Sequence, residues 1–372
     1  MDEKIYRFWL HQLPGVGDRT IGKLLAFFGS AKAICLAGEE LKKALRDSTV
    51  NRIMDFNKSF DAKKSYEQML AKKIHFFTAE DKEYPDRLRK LHYPPYGLYC
   101  LGELPENNGP AAAIIGAREC SEYGRYMAQA FAGGLSEAKV AVISGMARGI
   151  DSIGQQAALK HGGKTFAVLG CGADICYPAS NRGLYQEIVE RGGGILSVFP
   201  PGTPPSKGLF PERNRIVAGL SDLVLVVEAR QKSGTLITVD MALEQGKNVY
   251  AVPGRLTDRL SDGCNMLIRQ GAGIALAPKD LLAEMKILEN RKTLESTGIS
   301  FGKENSIKEE KDILDFLDYH PKSVDEIFEN MRRDGLVMEL PELFAGLIEL
   351  CMEGKASQAG GSYFFRTDSA DL

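Results

Sequence analysis

The chain has 372 residues, of which 44% are hydrophobic and 26% charged; these globular values exclude disorder throughout, and the length suffices for two or three domains of about 100–200 residues each. No run of about 18 apolar residues exists, which excludes a membrane-spanning helix, and Met1-Asp2-Glu3-Lys4-Ile5-Tyr6 lacks the basic flank and apolar stretch of a secretory signal. The net charge of −2 conceals a division, because residues 1–65 carry 12 Lys/Arg against 8 Asp/Glu, residues 66–304 carry 28 against 26, and residues 305–372 carry 7 against 15, so the basic end can meet a polyanion that the acidic end would repel.

Residues 1–65 read as a helical N-terminal domain. Apolar side chains recur at Ile5, Phe8 and Trp9, then at Ile21, Leu24, Leu25 and Phe28, at helix spacing. Between them, Leu13-Pro14-Gly15-Val16-Gly17 reads as a tight hairpin, since glycine accepts φ > 0 without strain. Amides at such a turn, with Arg19 and Lys23 on the helix that follows, can hold a phosphate as a helix-hairpin-helix element does; a plain helical connector would look the same.

Residues 66–110 form a transition with short strands at Ile74-His75-Phe76-Phe77 and Leu98-Tyr99-Cys100-Leu101, punctuated by prolines. From residue 111 the pattern changes. Apolar runs at 112–115, 140–143, 166–169, 195–198, 223–227 and 249–252 alternate with expected helices near 121–136, 151–160, 181–191, 212–220 and 235–245. Strands without polar alternation are buried on both faces, so residues 66–289 are expected to form a doubly wound, mostly parallel α/β sheet. Residues 290–307 are polar and read as a linker. Residues 308–372 predict helices near 308–319, 323–334 and 341–353, then a hairpin around Gly360-Gly361, which together suggest a winged helix.

In such a sheet, ligands bind beyond the carboxyl ends of the strands. The loops there are glycine-rich: Gly116-Ala117-Arg118, Ser144-Gly145-Met146-Ala147-Arg148-Gly149, Gly170-Cys171-Gly172 and Ser233-Gly234-Thr235. Each offers backbone amides at a helix N-terminus, and Arg118 and Arg148 add charge. Tight βα turns with no ligand are the bland alternative. The segment from Pro204 to Arg215 brings Lys207, Arg213 and Arg215 near Phe210, which supplies charge for a backbone and a flat face for a base. Arg213 reads equally well as a strut inside the fold. Candidate nucleic-acid contacts are therefore Arg118, Ser144, Gly145, Arg148, Gly170, Lys207, Phe210, Arg213, Arg215, Ser233, Gly234 and Thr235.

No catalytic set emerges, and no cofactor or metal is expected. Gly162-Gly163-Lys164-Thr165 imitates a P-loop, but Ala158 stands where its first glycine belongs, and the lysine precedes a strand. Gly170-x-Gly172 lacks the third glycine of a dinucleotide fingerprint. Asp151 and Asp174 read as caps of helices or turns. Seven scattered cysteines, none in Cys-x-x-Cys, fit a reducing cytoplasm.

The ordered motifs resemble the DNA-processing protein A (DprA/Smf) family. They are Gly116-Ala117-Arg118, Ser121-x-Tyr123-Gly124, Ser144-Gly145-Met146-Ala147-Arg148-Gly149-Ile150-Asp151, Tyr177-Pro178, Phe210-Pro211-Glu212-Arg213-Asn214-Arg215, Glu228-Ala229, Ser233-Gly234-Thr235-Leu236-Ile237-Thr238, Val252-Pro253-Gly254, Asp262-Gly263-Cys264-Asn265-Met266-Leu267-Ile268 and Gly271-Ala272. The resemblance implies a Rossmann-like domain between a helix-hairpin-helix/SAM-like N-terminal domain and a C-terminal winged helix. It implies a non-catalytic single-stranded DNA-binding protein that protects incoming DNA in natural transformation, loads RecA and forms a homodimer. It places Arg118, Lys207 and Phe210 in the strand-binding pocket, with the amides of 144–149 and 233–235 facing phosphates. Gln155 departs from the pattern, standing where the family usually has histidine.

An enzyme reading competes: a nucleotide phosphoribohydrolase of the lysine-decarboxylase-like Rossmann group. Those have Pro-Gly-Gly-x-Gly-Thr-x-x-Glu at the matching loop, whereas here Gln231-Lys232 replaces Gly-Gly and Thr238 replaces the glutamate that acid–base chemistry would need. A protein-binding scaffold is a third reading.

Overall fold

The computed structural model describes residues 2–287, 313–335, 338–359 and 362–367. The expected linker at 290–307, the start of the helix expected near 308–319, and Gly360-Gly361 lie outside these residues. The chain divides into two compact units, one of Met1–Cys120 and Met127–Glu289, the other of Ser121–Tyr126 and Asn290–Leu372.

The first unit opens with α1 (Glu3–Gln12), α2 (Asp18–Phe28), α3 (Ala31–Leu36), a 3-10 turn (Gly38–Lys43), α4 (Asp47–Ser59) and α5 (Ala62–Ala71). The apolar spacing of the sequence becomes a shared core of Trp9, Leu10, Ile21, Leu24, Ile34, Val50 and Ile53. Of the two hairpin glycines, Gly15 is left-handed at φ 76°, whereas Gly17 is extended and begins α2 as its N-cap.

Helix α1 docks on the sheet through aromatic contacts. Phe8 meets Phe76 and Tyr99 edge-on, and Gln12 Nε2 donates to the Tyr99 hydroxyl at 2.7 Å. His11 Nδ1 lies 2.9 Å from the same hydroxyl and packs among the Phe76, Tyr96 and Tyr99 rings. Burial lowers its pKa to about 4 from an ordinary 6.5. A depressed histidine is neutral in the fold while the unfolded chain takes up a proton, so stability falls as pH drops from about 6.5 towards about 4. We expect His11→Gln to flatten that acid limb in urea midpoints measured between pH 7 and pH 4.5; an unchanged limb would mean that His11 does not drive it.

The sheet follows: β1 (Ile74–Thr78), α6 (Asp86–Arg89), β2 (Gly97–Gly102), β3 (Ala111–Ile115), α7 (Glu122–Glu137), β4 (Ala141–Ser144), α8 (Ile150–Lys160), β5 (Thr165–Val168), α9 (Arg182–Glu190), β6 (Gly194–Ser197), α10 (Leu209–Leu220), β7 (Leu223–Val226), α11 (Gly234–Glu244), β8 (Asn248–Ala251), α12 (Asp262–Arg269), β9 (Gly273–Ile274) and α13 (Pro278–Glu284). The strand order is β1-β2-β6-β5-β4-β3-β7-β8-β9. Strands β6 through β9 run parallel, with Ala112 opposite both Val142 and Leu223. The expected largely parallel α/β sheet is thus present. Two features exceed the sequence reading. Strands β1 and β2, read as part of a transition, join the same sheet as an antiparallel extension, and the two-residue β9 closes the far edge.

From β3 to β6 the chain winds one way across the sheet, and from β7 to β9 it winds the other. The crevice that this reversal opens lies beyond the carboxyl ends of β3 and β7.

In the second unit, residues Ile313–Phe316 form a 3-10 turn where a helix was expected. Then come β10 (Lys322–Ser323), α14 (Val324–Arg333), α15 (Leu340–Met352), β11 (Ala356–Gln358) and β12 (Tyr363–Arg366). The strands form an antiparallel sheet in the order β10-β12-β11, over a core that includes Phe316, Ile327, Met331, Leu343, Leu347 and Phe364. Ser323 caps α14 by accepting from the Glu326 amide at 3.2 Å.

Candidate nucleic-acid interface

The loops at the reversal are stitched together by backbone. The Ala117 amide donates to the Glu228 carbonyl at 2.8 Å, and the Ile150 amide donates to the Ala117 carbonyl at 3.1 Å. Gly149 makes this closure possible: its φ is 77°, and a Cβ there would lie 2.3 Å from the Ala117 carbonyl oxygen. Arg118 is therefore an exposed side chain on a loop pinned on both sides.

At the end of β4, Ser144 turns inward and donates to the Ile114 carbonyl at 2.7 Å. The Asp151 carboxylate accepts from the Gly145 amide at 3.1 Å and the Ala147 amide at 3.4 Å, which makes it the loop cap expected from the sequence. Arg213, on α10, is only 6% exposed. Its Nη1 donates to the Gly145 carbonyl and, at 2.8 Å, to the Val168 carbonyl. A Cβ on Gly145 would fall 1.7 Å from that nitrogen. Burial pushes the Asp151 carboxyl up and Arg213 opposes it; burial pushes the Arg213 guanidinium down and Asp151 opposes that. Each charge offsets part of the other's burial, and the guanidinium is spent on two backbone carbonyls, which favours the strut reading of Arg213.

Above this pair lies a cavity of about 510 Å³, walled by Arg118, Gly145, Lys207, Phe210, Arg213, Arg230, Lys232, Ser233, Gly234 and Thr235, among others. The acidic residues on that wall are Glu119 and Asp151, so its balance is cationic. A second cavity of about 270 Å³ shares Arg118, Gly145, Phe210 and Arg213 and adds Arg148, Gly170 and Tyr177. Phe210 is the aromatic floor common to both. The Arg118 guanidinium carbon sits 5.6 Å from its ring centre, and the Tyr177 ring lies 6.0 Å away at 31°. Gly170 leaves room for this floor, since a Cβ there would approach Phe210 Cδ1 to 2.7 Å.

The N-terminus of α11 forms another wall. Ser233 caps it by accepting from the Thr235 amide at 3.2 Å, and the Thr235 hydroxyl donates to the Gly116 carbonyl at 3.2 Å. These hydroxyls fix the turn, while nothing lies within 4 Å of where a Gly234 Cβ would be. The positive end of the helix dipole therefore faces open space suited to an anion.

Ten of the twelve residues picked from the sequence line one or both cavities. Ser144 is buried beneath them. Arg215 faces elsewhere: its Nε donates to Glu212 at 3.0 Å, Nη1 donates to the Tyr93 carbonyl, and Nη2 lies 3.9 Å from Asp18 of α2. It lines a separate cavity with Arg19 and Tyr93. Gln155 is fully buried, donating to Thr165 Oγ1 and the Phe166 carbonyl at 3.2 Å each, and borders neither site cavity. The sequence reading names Tyr177 and Lys232 only as motif positions and leaves them, with Arg230, out of the candidate contacts. Arg230 and Lys232 follow β7 and precede the α11 cap, so the strand-end rule that found Arg118 and Arg148 would have found them.

Chemically, the wall can hold phosphodiesters on amides and cations and stack bases on Phe210 and Tyr177. Among the described residues lining the larger cavity there is no His or Cys, and Asp151 is already committed to two amides.

A family model described as DNA recombination-mediator protein A matches residues 75–286. The DNA processing protein DprA of Streptococcus pneumoniae (strain ATCC BAA-255 / R6) is 41% identical over 214 residues, which cover 58% of this chain and 75% of that protein. The X-ray structure of DNA processing protein A from Streptococcus pneumoniae aligns with a TM-score of 0.66 at 35% identity, covering 75% of this chain and 97% of that one. A structure of DNA processing protein A from Helicobacter pylori, whose subject is a single-stranded DNA binding mode, aligns with a TM-score of 0.52 at 32% identity, covering 58% of this chain and 97% of that one.

Proposed function

The chain belongs to the DNA recombination-mediator protein A family, and on that premise we propose that it binds single-stranded DNA without regard to sequence and breaks no bond in it. The observation that carries this reading is Phe210, the aromatic floor shared by two adjoining cavities, with Tyr177 beside it in the smaller one and Arg118, Arg148, Lys207, Arg230 and Lys232 on their walls. Stacking tolerates any base, and phosphate contacts carry no sequence information. The Helicobacter pylori relative, studied for how it binds single strands, supports the choice of ligand.

The family resemblance extends the proposal to a cytoplasmic homodimer that protects incoming DNA and loads RecA onto it in transformation and recombination. Residues 1–65 serve as a helix-hairpin-helix/SAM-like domain, 66–289 as the Rossmann-like DNA-binding domain, 290–307 as a linker and 308–372 as a winged helix. The phosphoribohydrolase alternative finds no acid–base group at the matching loop, where Thr238 is buried in α11.

Titrating a fluorescent thymidine oligomer at several salt concentrations, beside a duplex of equal length, tests the proposal. Saturable binding is expected, with log K falling against log[salt] by about 0.7 per phosphate contacted and the duplex binding more weakly. Release of free base from nucleoside monophosphates at enzymatic rates, with no oligomer bound at low salt, would overturn it.

A further inference from the structure

Helix α15 is apolar around more of its circumference than the second unit's core covers. Leu343, Leu347 and Leu350 are buried in that core. Leu340, Phe344, Ile348 and Met352, spaced four apart, remain 41, 41, 37 and 83% exposed. At about 100° per residue these four sweep roughly 120° of the helix surface, directly beside the buried three. The remaining arc is acidic, with Glu342, Glu349 and Glu353 all exposed. The surrounding chain has the same sign, since residues 305–372 carry 7 Lys/Arg against 15 Asp/Glu.

We propose that this stripe is the docking site for a basic amphipathic helix of a partner protein. The partner's apolar face would lie along Leu340, Phe344, Ile348 and Met352, with its Lys/Arg flank towards Glu349, since Glu353 is already paired with Lys355 at 2.7 Å. The charge settles the choice of occupant. A nucleic acid would be repelled by these carboxylates. A second copy would bring an equally acidic face, so like charges would oppose one another across the contact. The stripe belongs to the second unit and the cationic cavities to the first.

The experiment uses the full chain and a fluorescein-labelled synthetic peptide of about six helical turns, with Leu along one face and Lys elsewhere. Its controls are the same composition scrambled to destroy the face, and a peptide with Glu for Lys. Saturable anisotropy is expected for the first peptide, with both controls at least tenfold weaker. Ile348→Ser combined with Met352→Ser, and separately Glu349→Lys, should each weaken binding at least fivefold while circular dichroism and oligothymidine affinity stay unchanged. Equal binding of the scrambled peptide, failure to saturate, or indifference to both variants would overturn the proposal. So would concentration-dependent self-association in sedimentation that the Ile348/Met352 pair abolishes, because the occupant would then be a second copy.

Discussion

Replacing Arg118 and Lys207 together with alanine is expected to weaken oligothymidine binding by about two orders of magnitude near 100 mM salt and to flatten the salt slope by about 1.4, at roughly 0.7 per lost phosphate contact on a single strand. Both side chains are exposed on loops beyond the strand ends, and both reach the larger cavity. Fluorescence titration at four salt concentrations measures the effect, and thermal melting should register almost nothing. Phe210→Ala provides the contrast: losing a stacking face costs about 1–3 kcal/mol per base and should leave the slope alone. If the double variant kept the parental slope, these cavities would not be where the strand's backbone lies.

Arg213→Met should instead damage the fold, by about 3–5 kcal/mol, the usual consequence of removing one partner from a buried charge pair. The change strips two carbonyls, those of Gly145 and Val168, of their donor and leaves Asp151 without the cation that opposes its burial. The pH dependence has a definite sign. In the parent, burial already raises the Asp151 pKa above its ordinary 3.8, and losing Arg213 raises it further. The folded state then binds more protons than the unfolded one, so stability falls as pH rises through and above about 4, until the raised folded value is passed. The variant's deficit should therefore be smaller at pH 5 than at pH 8 in urea denaturation. Equal deficits at the two pH values would show that Arg213 does not act through Asp151.

The sheet was legible because its strands are short, apolar on both faces and regularly spaced, and Ala111–Ile115 and Leu223–Val226 emerge as central strands buried at every position. What escaped was decided by pairing rather than by pattern. Strand β2 is nearly all apolar, as a parallel core strand would be, yet it pairs antiparallel with β6. Nothing periodic marks a strand of two residues such as β9. At the site, loop glycines and adjacent cations pointed to the right edge of the sheet. They could not say which way a helical side chain turns, and Arg213 and Arg215, two residues apart on α10, part company for that reason. One lies under the Phe210 ring, 5.9 Å from its centre, and the other reaches Asp18 and the Tyr93 carbonyl.

That divergence along α10 bears on how shortened versions of the chain are interpreted. Cutting away the first 71 residues would remove Asp18 from Arg215, on the very helix that carries Phe210, but leave its Glu212 and Tyr93 partners in place. Such a fragment would also shed a segment richer in Lys/Arg than in Asp/Glu, so weaker DNA binding by it would report lost positive charge in the first place and need not mean that the missing helices touch the strand.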